Sequence, residues 1–445
     1  MRGLRRGIAA TSIKTDALPP HPTLSPKQAW GRGLFVLWIL LLFPLFSCAQ
    51  QLNPEPEDAG KDIDVSLVTF GPGSEVWERF GHNAILITLH DAAGAEQGSR
   101  LYNYGMFDFA QDNFWLNFAR GRMLYRISVS DPADDYPLYR EEGRWIVEQR
   151  LNLTPAQRMK LFAFLEWNAR PEHAQYRYEY FTANCSTRVR DALDLALDGA
   201  LKAQLSGPSR GFTYRMDALR LMRPEPALMI GMDAGLGPFA DQRLSYWDES
   251  FVPMEFMRYM REVRVPDGQG GTQSLVAGES QVAATTLPEP ADFPPQWIWQ
   301  ALAIGVAFSA ALLGLARLRE RAWARATLAA SASLLCLVLG LCGLVLLALW
   351  LLTEHISAWR NENLLLFDPL CLLLLPAWLG ALRARWQPSR FAVGLSMSIA
   401  ALAGLALFLK VFPGFIQDNR FWLALLLPVQ VALAFVLRGL LVRAR

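Results

Sequence analysis

The sequence predicts an α+β exported domain, with a mainly antiparallel sheet and packed helices, followed by an all-α bundle of five transmembrane helices. Up to about residue 295, charged, polar and apolar residues are mixed as in a soluble domain. Beyond it come five long apolar runs, and arginines cluster after alternate runs. We therefore divide the chain into an export signal or anchor (1–50), an exported domain (51–265), a flexible linker (266–295) and the membrane bundle (296–445).

The N-terminal segment has the features of an export signal. A basic stretch precedes the apolar run 34–46, which is short for a membrane span. Residues 47–49 form a candidate cleavage site, and residues 45–48 resemble a lipidation site in which Phe46 is unusually large. An uncleaved anchor is the third alternative. In every case the chain lies outside the cytosol from about Gln51 onward.

The exported domain contains alternating strand and helix signals. Residue types and lengths predict strands at 65–70, 84–89, 101–104, 123–129 and 145–151. Thr154 and Pro155 are a cap and a first helical residue, so we expect a helix to about Asn168. A second helix is expected from Asn184-Cys185 to about Leu201. The domain is expected to end near Val265, because the following residues are rich in Gly, Ser, Ala and Pro.

The apolar runs beyond the linker are each close to the length that crosses a bilayer. Arginines follow the first, third and fifth runs, and positive charge is retained in the cytosol. We therefore expect an inner-membrane protein with its soluble domain on the outer side and its C-terminus in the cytosol. The runs cover residues 297–316, 326–352, 364–382, 391–409 and 421–437.

Composition excludes several classes of function. The formal net charge is only +2 and the exported part has no basic block, so no nucleic-acid partner is expected. No zinc spacing, phosphate loop, GxSxG elbow or dinucleotide-binding glycine pattern occurs, and neither a metal nor a cofactor is expected. The apolar runs contain few charges, which argues against an ion pump.

Cys185 is the single cysteine of the predicted exported domain, so it is either an inert buried thiol or a reactive one. Asn184 is a good helix cap, and the N–H groups at the helix start, including that of Ser186, favour a thiolate or an oxyanion. His82 is the candidate base. It opens a strand on which it shares a face with Ala84 and Leu86, and we expect the Cys185 helix to pack on that face.

A third residue is needed to orient the imidazole. Asn103, on the neighbouring predicted strand, is the first candidate, and Tyr102, Tyr104 and Asp108 are alternatives. Four polar residues, Glu354, His355, Asn361 and Asn363, come after the second membrane run at its outer end. They are either ordinary loop residues or part of a lipid-headgroup or active site at the membrane interface.

Three motifs resemble the Lnb-type lipoprotein N-acyltransferase family: FGHNA at 80–84, YNYG at 102–105 and NCSTR at 184–188. The resemblance extends over about residues 65–265 and more weakly into the outer loop at 353–365. The order of histidine strand and cysteine helix is also similar to the permuted papain-like proteins, whose fold it implies for the exported domain. The resemblance to the Lnb-type family implies acyl transfer through a cysteine thioester, with Cys185 as nucleophile and His82 as base.

The resemblance also implies a substrate. In this family an acyl chain moves from the glyceryl group of a lipid-modified N-terminal cysteine to its amine, which gives a lyso-form lipoprotein. We therefore predict a membrane-bound thiol acyltransferase that acts on a membrane lipid or lipoprotein. The alternatives are a papain-like amidase of the cell envelope, active without its membrane spans, and a non-enzymatic sensor or binding domain in which Cys185 is dispensable.

Overall fold

The computed structural model of the protein describes residues 60–267 and 269–442. The predicted export signal and most of the tether after it lie outside these residues, as do the terminal arginines Arg443 and Arg445. The predictions made for them therefore stay predictions.

The exported domain is built around a seven-stranded sheet in which all neighbouring strands are antiparallel. The spatial order is β11-β5-β1-β2-β3-β4-β6. Two further pairs, β7 with β8 and β9 with β10, form small two-stranded sheets. The strands are β1 (Ile63–Phe70), β2 (His82–His90), β3 (Glu96–Met106), β4 (Leu124–Ser130), β5 (Ile146–Leu151), β6 (Gln175–Arg177), β7 (Pro208–Thr213), β8 (Arg243–Ser245), β9 (Arg264–Pro266), β10 (Thr272–Ser274) and β11 (Val276–Ala283).

Helices cover both faces of this sheet, which confirms the predicted α+β class. The predicted helix after Thr154 begins and ends where its cap and its apolar spacing indicate. The helices of the domain are α1 (Phe114–Ala119), α2 (Pro132–Glu141), α3 (Pro155–Asn168), α4 (Cys185–Ala196), α5 (Ala200–Leu205), α6 (Tyr214–Leu221), α7 (Pro226–Gly235), α8 (Tyr246–Glu249) and α9 (Pro253–Met260).

The two faces of the sheet bury different side chains. Ile85 and Ile87 of β2 pack with Val189 and Leu193 of α4 in the larger core. The intervening residues, including Ala84 and Leu86, pack on the opposite face, together with Tyr136 of α2. Because side chains alternate along a strand, this division fixes the face on which each functional residue of β2 lies.

Two boundaries differ from the sequence prediction. The helix that begins at Cys185 ends at Ala196, because Asp198 and Gly199 both have positive φ, and Leu201 belongs to the separate helix α5. The expected flexible linker contains β10 and β11, and β11 is an edge strand of the main sheet. Its side chains are mostly exposed and its main chain pairs with β5, so its sequence carries no alternating apolar pattern.

The C-terminal part is a bundle of apolar helices. Four of them are long enough to cross a membrane: α10 (Ile298–Arg317), α11 (Ala322–Leu352), α13 (Arg390–Leu409) and α14 (Arg420–Val442). They coincide with four of the five predicted spans. Small residues allow close approach within the bundle, since a β-carbon added to Gly343 of α11 would lie 2.1 Å from the carbonyl oxygen of Phe367.

The third predicted span, residues 364–382, is broken rather than continuous. It consists of 3-10 turns at Glu362–Leu365 and Pro369–Leu374, and then the short helix α12 (Leu375–Gly380). The segments before and after the break are bent by 42°. Pro369 cannot donate a helical hydrogen bond, and the Asp368 side chain accepts the N–H of Leu370, which begins a new turn. The bundle has five spans if this bent pair counts as one.

Candidate active site

Cys185 is the first residue of α4, and Asn184 caps the helix. Oδ1 of Asn184 accepts the N–H of Thr187 at 2.9 Å, and Oγ1 of Thr187 accepts the N–H of Asn184 at 2.8 Å. The Asn184 amide also donates to the carbonyl of Phe251 at 2.8 Å. These bonds fix the start of α4, so the thiol lies where the unpaired N–H groups and the helix dipole favour negative charge.

The end of β3 passes directly beside the thiol. Gly105 has a φ of 87°, and a β-carbon added there would lie 3.2 Å from Cβ of Cys185. A glycine at this position allows the backbone to adopt a left-handed conformation next to Cys185 without a side chain between them. The adjacent register shift between Asn103 and Met106 is the bulge that brings Gly105 to this place.

The first turn of α4 is tied to the start of β2. Oγ of Ser186 lies 2.7 Å from Oδ1 of Asn83 and 2.6 Å from the carbonyl oxygen of Ser250. The Asn83 amide donates to Oγ1 of Thr69 at 2.8 Å. The Ser186 side chain therefore holds the helix against the sheet, while its backbone N–H remains near the thiol.

Two opposing effects act on the thiol. Burial raises the pKa of Cys185, and the backbone N–H groups of Asn83, Ser186 and Cys185 itself lower it in part, because they favour the thiolate. The Arg144 guanidinium also lowers this pKa. The net direction is upward, so the resting group is a neutral thiol. The three N–H groups are in place to stabilise negative charge that develops nearby.

His82 is oriented by a chain of hydrogen bonds. Its Nε2 lies 3.0 Å from Oδ1 of Asn103, and Nδ2 of Asn103 donates to Oδ2 of Asp135 at 3.0 Å. Ser130 joins the same group, since its hydroxyl donates to Oδ2 of Asp135 at 2.6 Å. A carboxylate only accepts, so the Asn103 amide nitrogen faces Asp135 and its oxygen faces His82. Nε2 of His82 therefore carries the proton, and Nδ1 is the nitrogen that is able to accept one.

The imidazole is neutral at physiological pH. Burial lowers the pKa of His82 to about 4; the hydrogen bond with Asn103 opposes this shift, and the positive charge of Arg144 adds to it. Arg144 is itself buried, with Nε donating to the carbonyl of Gly71 at 2.7 Å and its guanidinium over the Tyr139 ring. One buried cation thus affects both the imidazole and the thiol.

The position of His82 differs from the sequence prediction. His82 does share a face with Ala84 and Leu86, but that face is covered by α2, and α4 packs on the opposite one. Within the described residues no hydrogen bond joins the imidazole to the thiol. His82 instead lies at the end of the sheet where β2 begins and β3 ends: the next residue, Asn83, has its N–H beside the thiol, and the partner of His82, Asn103, is two residues before Gly105.

The other two histidines of the exported domain lie elsewhere. His90 is at the far end of β2, where its Nε2 lies 3.2 Å from the Asp64 carboxylate. The ring of His173 stacks on Trp167, with the ring centroids 4.2 Å apart. These partners leave His82, the residue before Asn83, as the candidate base among the histidines of the exported domain.

The four polar residues of the loop after the second membrane helix α11 contact the exported domain. The Glu354 carboxylate pairs with Arg122 at 2.7 Å and with Arg177, and Nε2 of His355 lies 3.0 Å from the carbonyl oxygen of Phe118. The Asn361 amide donates to the carbonyls of Ala234 and Gly235, both at 2.9 Å, and the Asn363 amide also donates to Ala234. These residues therefore join the two parts of the chain.

One group of carboxylates in the described part of the chain is close enough to suggest a metal site. Oxygens of Asp217, Glu249 and Glu255 lie within 4.8 Å of one another. Arg210 pairs with all three, Arg220 pairs with Asp217 and Glu255, and Arg258 pairs with Glu255, so three arginines face three carboxylates. The guanidinium groups already supply the positive charge that this buried cluster requires, so it is an ion-pair network.

The sequence indicated Cys185, His82 and Asn103, but not Asp135, Ser130 or Arg144. Asp135 lies in the first turn of α2, where an acidic residue is ordinary, so its residue type gave no signal. Arg144 is one of many arginines in the sequence. Its burial and its position near the thiol depend on the packing of the loop after α2 against β1, which no local pattern reveals.

Two family models match the chain. The model described as the Lnb N-terminal periplasmic domain matches residues 57–222, which include every residue of the site around Cys185 and His82 except Ser250 and Phe251. The model described as the Lnb transmembrane domain matches residues 298–439. No curated protein and no solved structure shows significant similarity to the chain.

Proposed function

Because this chain belongs to the Lnb family, and is thus a membrane protein with a periplasmic domain, we propose that it is a membrane-bound thiol acyltransferase. The acyl chain of a lipid or lipoprotein passes through a thioester on Cys185, and the product is a lyso-form lipoprotein. The protein lies in the inner membrane with its C-terminus in the cytosol. The observation that supports this best is a thiol at a capped helix start, with the N–H of Asn83 beside it and, at the preceding residue, a neutral imidazole that Asn103 and Asp135 orient.

In the first half of the proposed reaction, Nδ1 of His82 takes the proton of the Cys185 thiol as sulfur attacks the ester carbonyl. The N–H groups of Asn83, Cys185 and Ser186 stabilise the oxyanion that forms on the carbonyl oxygen. The carbon–oxygen ester bond then breaks. The departing glyceryl oxygen takes the proton from His82, which leaves an acyl thioester and a free hydroxyl.

In the second half, the amine of the acceptor attacks the thioester carbonyl and gives a proton to His82. The carbon–sulfur bond breaks, the sulfur recovers the proton and an amide is formed. Catalytic pairs commonly align only when substrate binds, so a hydrogen bond between imidazole and thiol is not required beforehand.

The test is to trap the intermediate. The full chain in detergent is mixed with a diacylated lipopeptide whose amine is blocked, quenched in acid, and digested for mass spectrometry. We expect the acyl group on the peptide that contains Cys185, released by neutral hydroxylamine. A chase with an unblocked lipopeptide should move the acyl group to an amide. Release only to water would indicate a hydrolase, and turnover without a thioester on Cys185 would refute the mechanism.

The pH dependence is set by the shifted pKa of His82. A general base must be unprotonated, so the rate of thioester formation should rise as the pH increases through about 4 and level off well below pH 6.5. The rate is measured in single turnovers, with circular dichroism at each pH to exclude unfolding. An acid limb near 6.5, the value of a solvated histidine, would show that the imidazole is not in this buried environment during the reaction.

A further inference from the structure

The exported domain has an exposed apolar segment beside its junction with the membrane bundle. The segment, residues 107–118, includes α1 and is called the aromatic segment below. The side chain of Trp115 is 70% exposed and that of Leu116 47% exposed, and Phe109 and Phe118 are exposed as well. Several large apolar side chains that are exposed next to one another mark an interaction surface.

Aromatic rings connect this segment to the site. In one direction Phe107 neighbours Tyr125, with centroids 5.1 Å apart, and Tyr125 stacks on Tyr178 at 4.2 Å. Burial, and after it the charge that Cys185 carries as a thiolate, raises the pKa of Tyr178, so the Tyr178 hydroxyl lies within electrostatic reach of the sulfur. The chain itself makes the same connection, because Gly105, which lies against Cys185, is only two residues before Phe107.

A second series of rings leads to the membrane bundle. Phe118 neighbours His355 at 6.5 Å, His355 stacks on Tyr180 at 5.9 Å, and Tyr180 neighbours Tyr178 at 6.0 Å. Phe114 lies between Phe107 and Phe118, with centroids 6.2 and 6.3 Å away. The two series therefore close into one continuous circuit of rings, which we call the aromatic circuit.

The far side of this circuit lies at the outer end of a membrane span. The backbone N–H of Glu354 donates at 2.8 Å to the carbonyl of Arg120, which lies two residues after the aromatic segment. The span α11 ends two residues earlier, at Leu352, whose side chain is 77% exposed. We expect a leucine exposed at the end of a span to contact lipid, and we therefore infer that the aromatic segment lies at the level of the membrane interface.

We propose that the aromatic segment binds the acyl chains of membrane lipid at the outer surface of the bilayer, and that the aromatic circuit guides the donor acyl chain from there to Cys185. The ligand is a long acyl chain attached to a membrane-anchored glyceryl group. The guiding role rests on the proposed acyltransferase function, whereas the contact with lipid does not. Aromatic side chains suit this position because their rings are apolar and, in tryptophan and tyrosine, end in a polar group.

The test is photolabelling of the full chain in liposomes of phosphatidylethanolamine and phosphatidylglycerol that contain a phospholipid with a diazirine in its acyl chain. It is carried out in the unsubstituted chain and in Cys185→Ala, so that labelling does not depend on turnover. Adducts are located by mass spectrometry of tryptic peptides. We expect label in the peptide of residues 101–120, which contains the aromatic segment, in addition to label in the membrane helices. The peptide of residues 127–140, which contains most of α2, should remain unlabelled.

Two variants test whether labelling requires the side chains of the aromatic segment or only an exposed apolar residue. The double variant Trp115→Ser, Leu116→Ser should lower labelling of its 101–120 peptide about tenfold, as expected when large apolar side chains are no longer buried in lipid. The matched control is Leu138→Ser, which removes a leucine of similar exposure from α2, outside the aromatic circuit. Leu138→Ser should leave the labelling unchanged.

Each result has a defined meaning. An unlabelled 101–120 peptide beside labelled membrane helices would overturn the proposal and leave a protein partner as the occupant of this surface. Label that survives the double variant would also overturn it. If the segment is labelled but Cys185 never forms a thioester, the proposed function fails while the lipid contact stands. If the double variant loses labelling but transfers acyl chains at the normal rate, the guiding role fails.

Discussion

Replacement of Cys185 by alanine should lower the rate of acyl transfer by about 10⁴-fold or more, because the nucleophile is lost and the remaining groups only bind and polarise the ester. The fold should survive, since Cys185 is a half-buried residue and the start of α4 is held by the cap bonds of Asn184 and Thr187 rather than by the thiol. The unfolding free energy should change by no more than about 1 kcal/mol. The rate is measured with a diacylated lipopeptide, and stability by thermal unfolding of the same preparation.

The matched control uses another cysteine. Cys342 is exposed on α11, so Cys342→Ala removes an accessible thiol from the membrane bundle and should have normal activity. Cys185→Ser is a second comparison. It keeps the shape of the side chain, but a hydroxyl is a far weaker nucleophile than a thiol, so activity should remain near that of the alanine variant. Normal turnover in Cys185→Ala would exclude the thioester route and favour a sensor or binding domain.

Replacement of His82 by alanine should reduce thioester formation by about 10³-fold, within the range that general base catalysis contributes. The effect is large because the resting thiol is neutral and its pKa is raised, so little thiolate forms without a base. The matched control is His90→Ala on the same strand, where the imidazole pairs with Asp64 far from the thiol. His90→Ala should retain normal activity.

A second measurement distinguishes a base from a structural residue. In the His82→Ala variant, the rate of thioester formation should increase as the pH approaches the pKa of the Cys185 thiol. Hydroxide then removes the thiol proton in place of the imidazole. The unsubstituted protein should show no such increase in that range. Equal rates in His82→Ala and the unsubstituted protein at neutral pH would mean that another group deprotonates the thiol.

Local signals in the sequence predicted the elements that carry the site. Asn184 and Thr154 are both helix caps in the structure, and each is recognisable from its residue type and from the helix-forming residues after it. The proximity of His82 and Asn103 was predictable because adjacent strands of a hairpin place such residues side by side. These inferences needed only residue spacing and short-range geometry.

Other features depended on packing that no short pattern encodes. Alternation along β2 showed that His82, Ala84 and Leu86 share a face, but not which helix covers it. The pairing of Asp135 with Asn103 depends on that covering helix. The break at Asp368-Pro369 does not depend on packing, because a proline within an apolar run is itself a local signal. The span was predicted as continuous because hydropathy alone was used.

The junction between the two parts of the chain has a mechanical consequence. The amides of Asn361 and Asn363 hold main-chain oxygens of the exported domain, so this domain cannot tilt toward the bilayer without loss of those bonds. The distance between sulfur and bilayer is therefore set by the protein, and the substrate has to rise to meet it. Each methylene drawn from hydrocarbon into water costs about 0.8 kcal/mol, so a lift of a few carbons through water would add about 2–3 kcal/mol to the activation barrier. The aromatic circuit lines that path with apolar rings, which reduces the free-energy cost of drawing the acyl chain out of the bilayer.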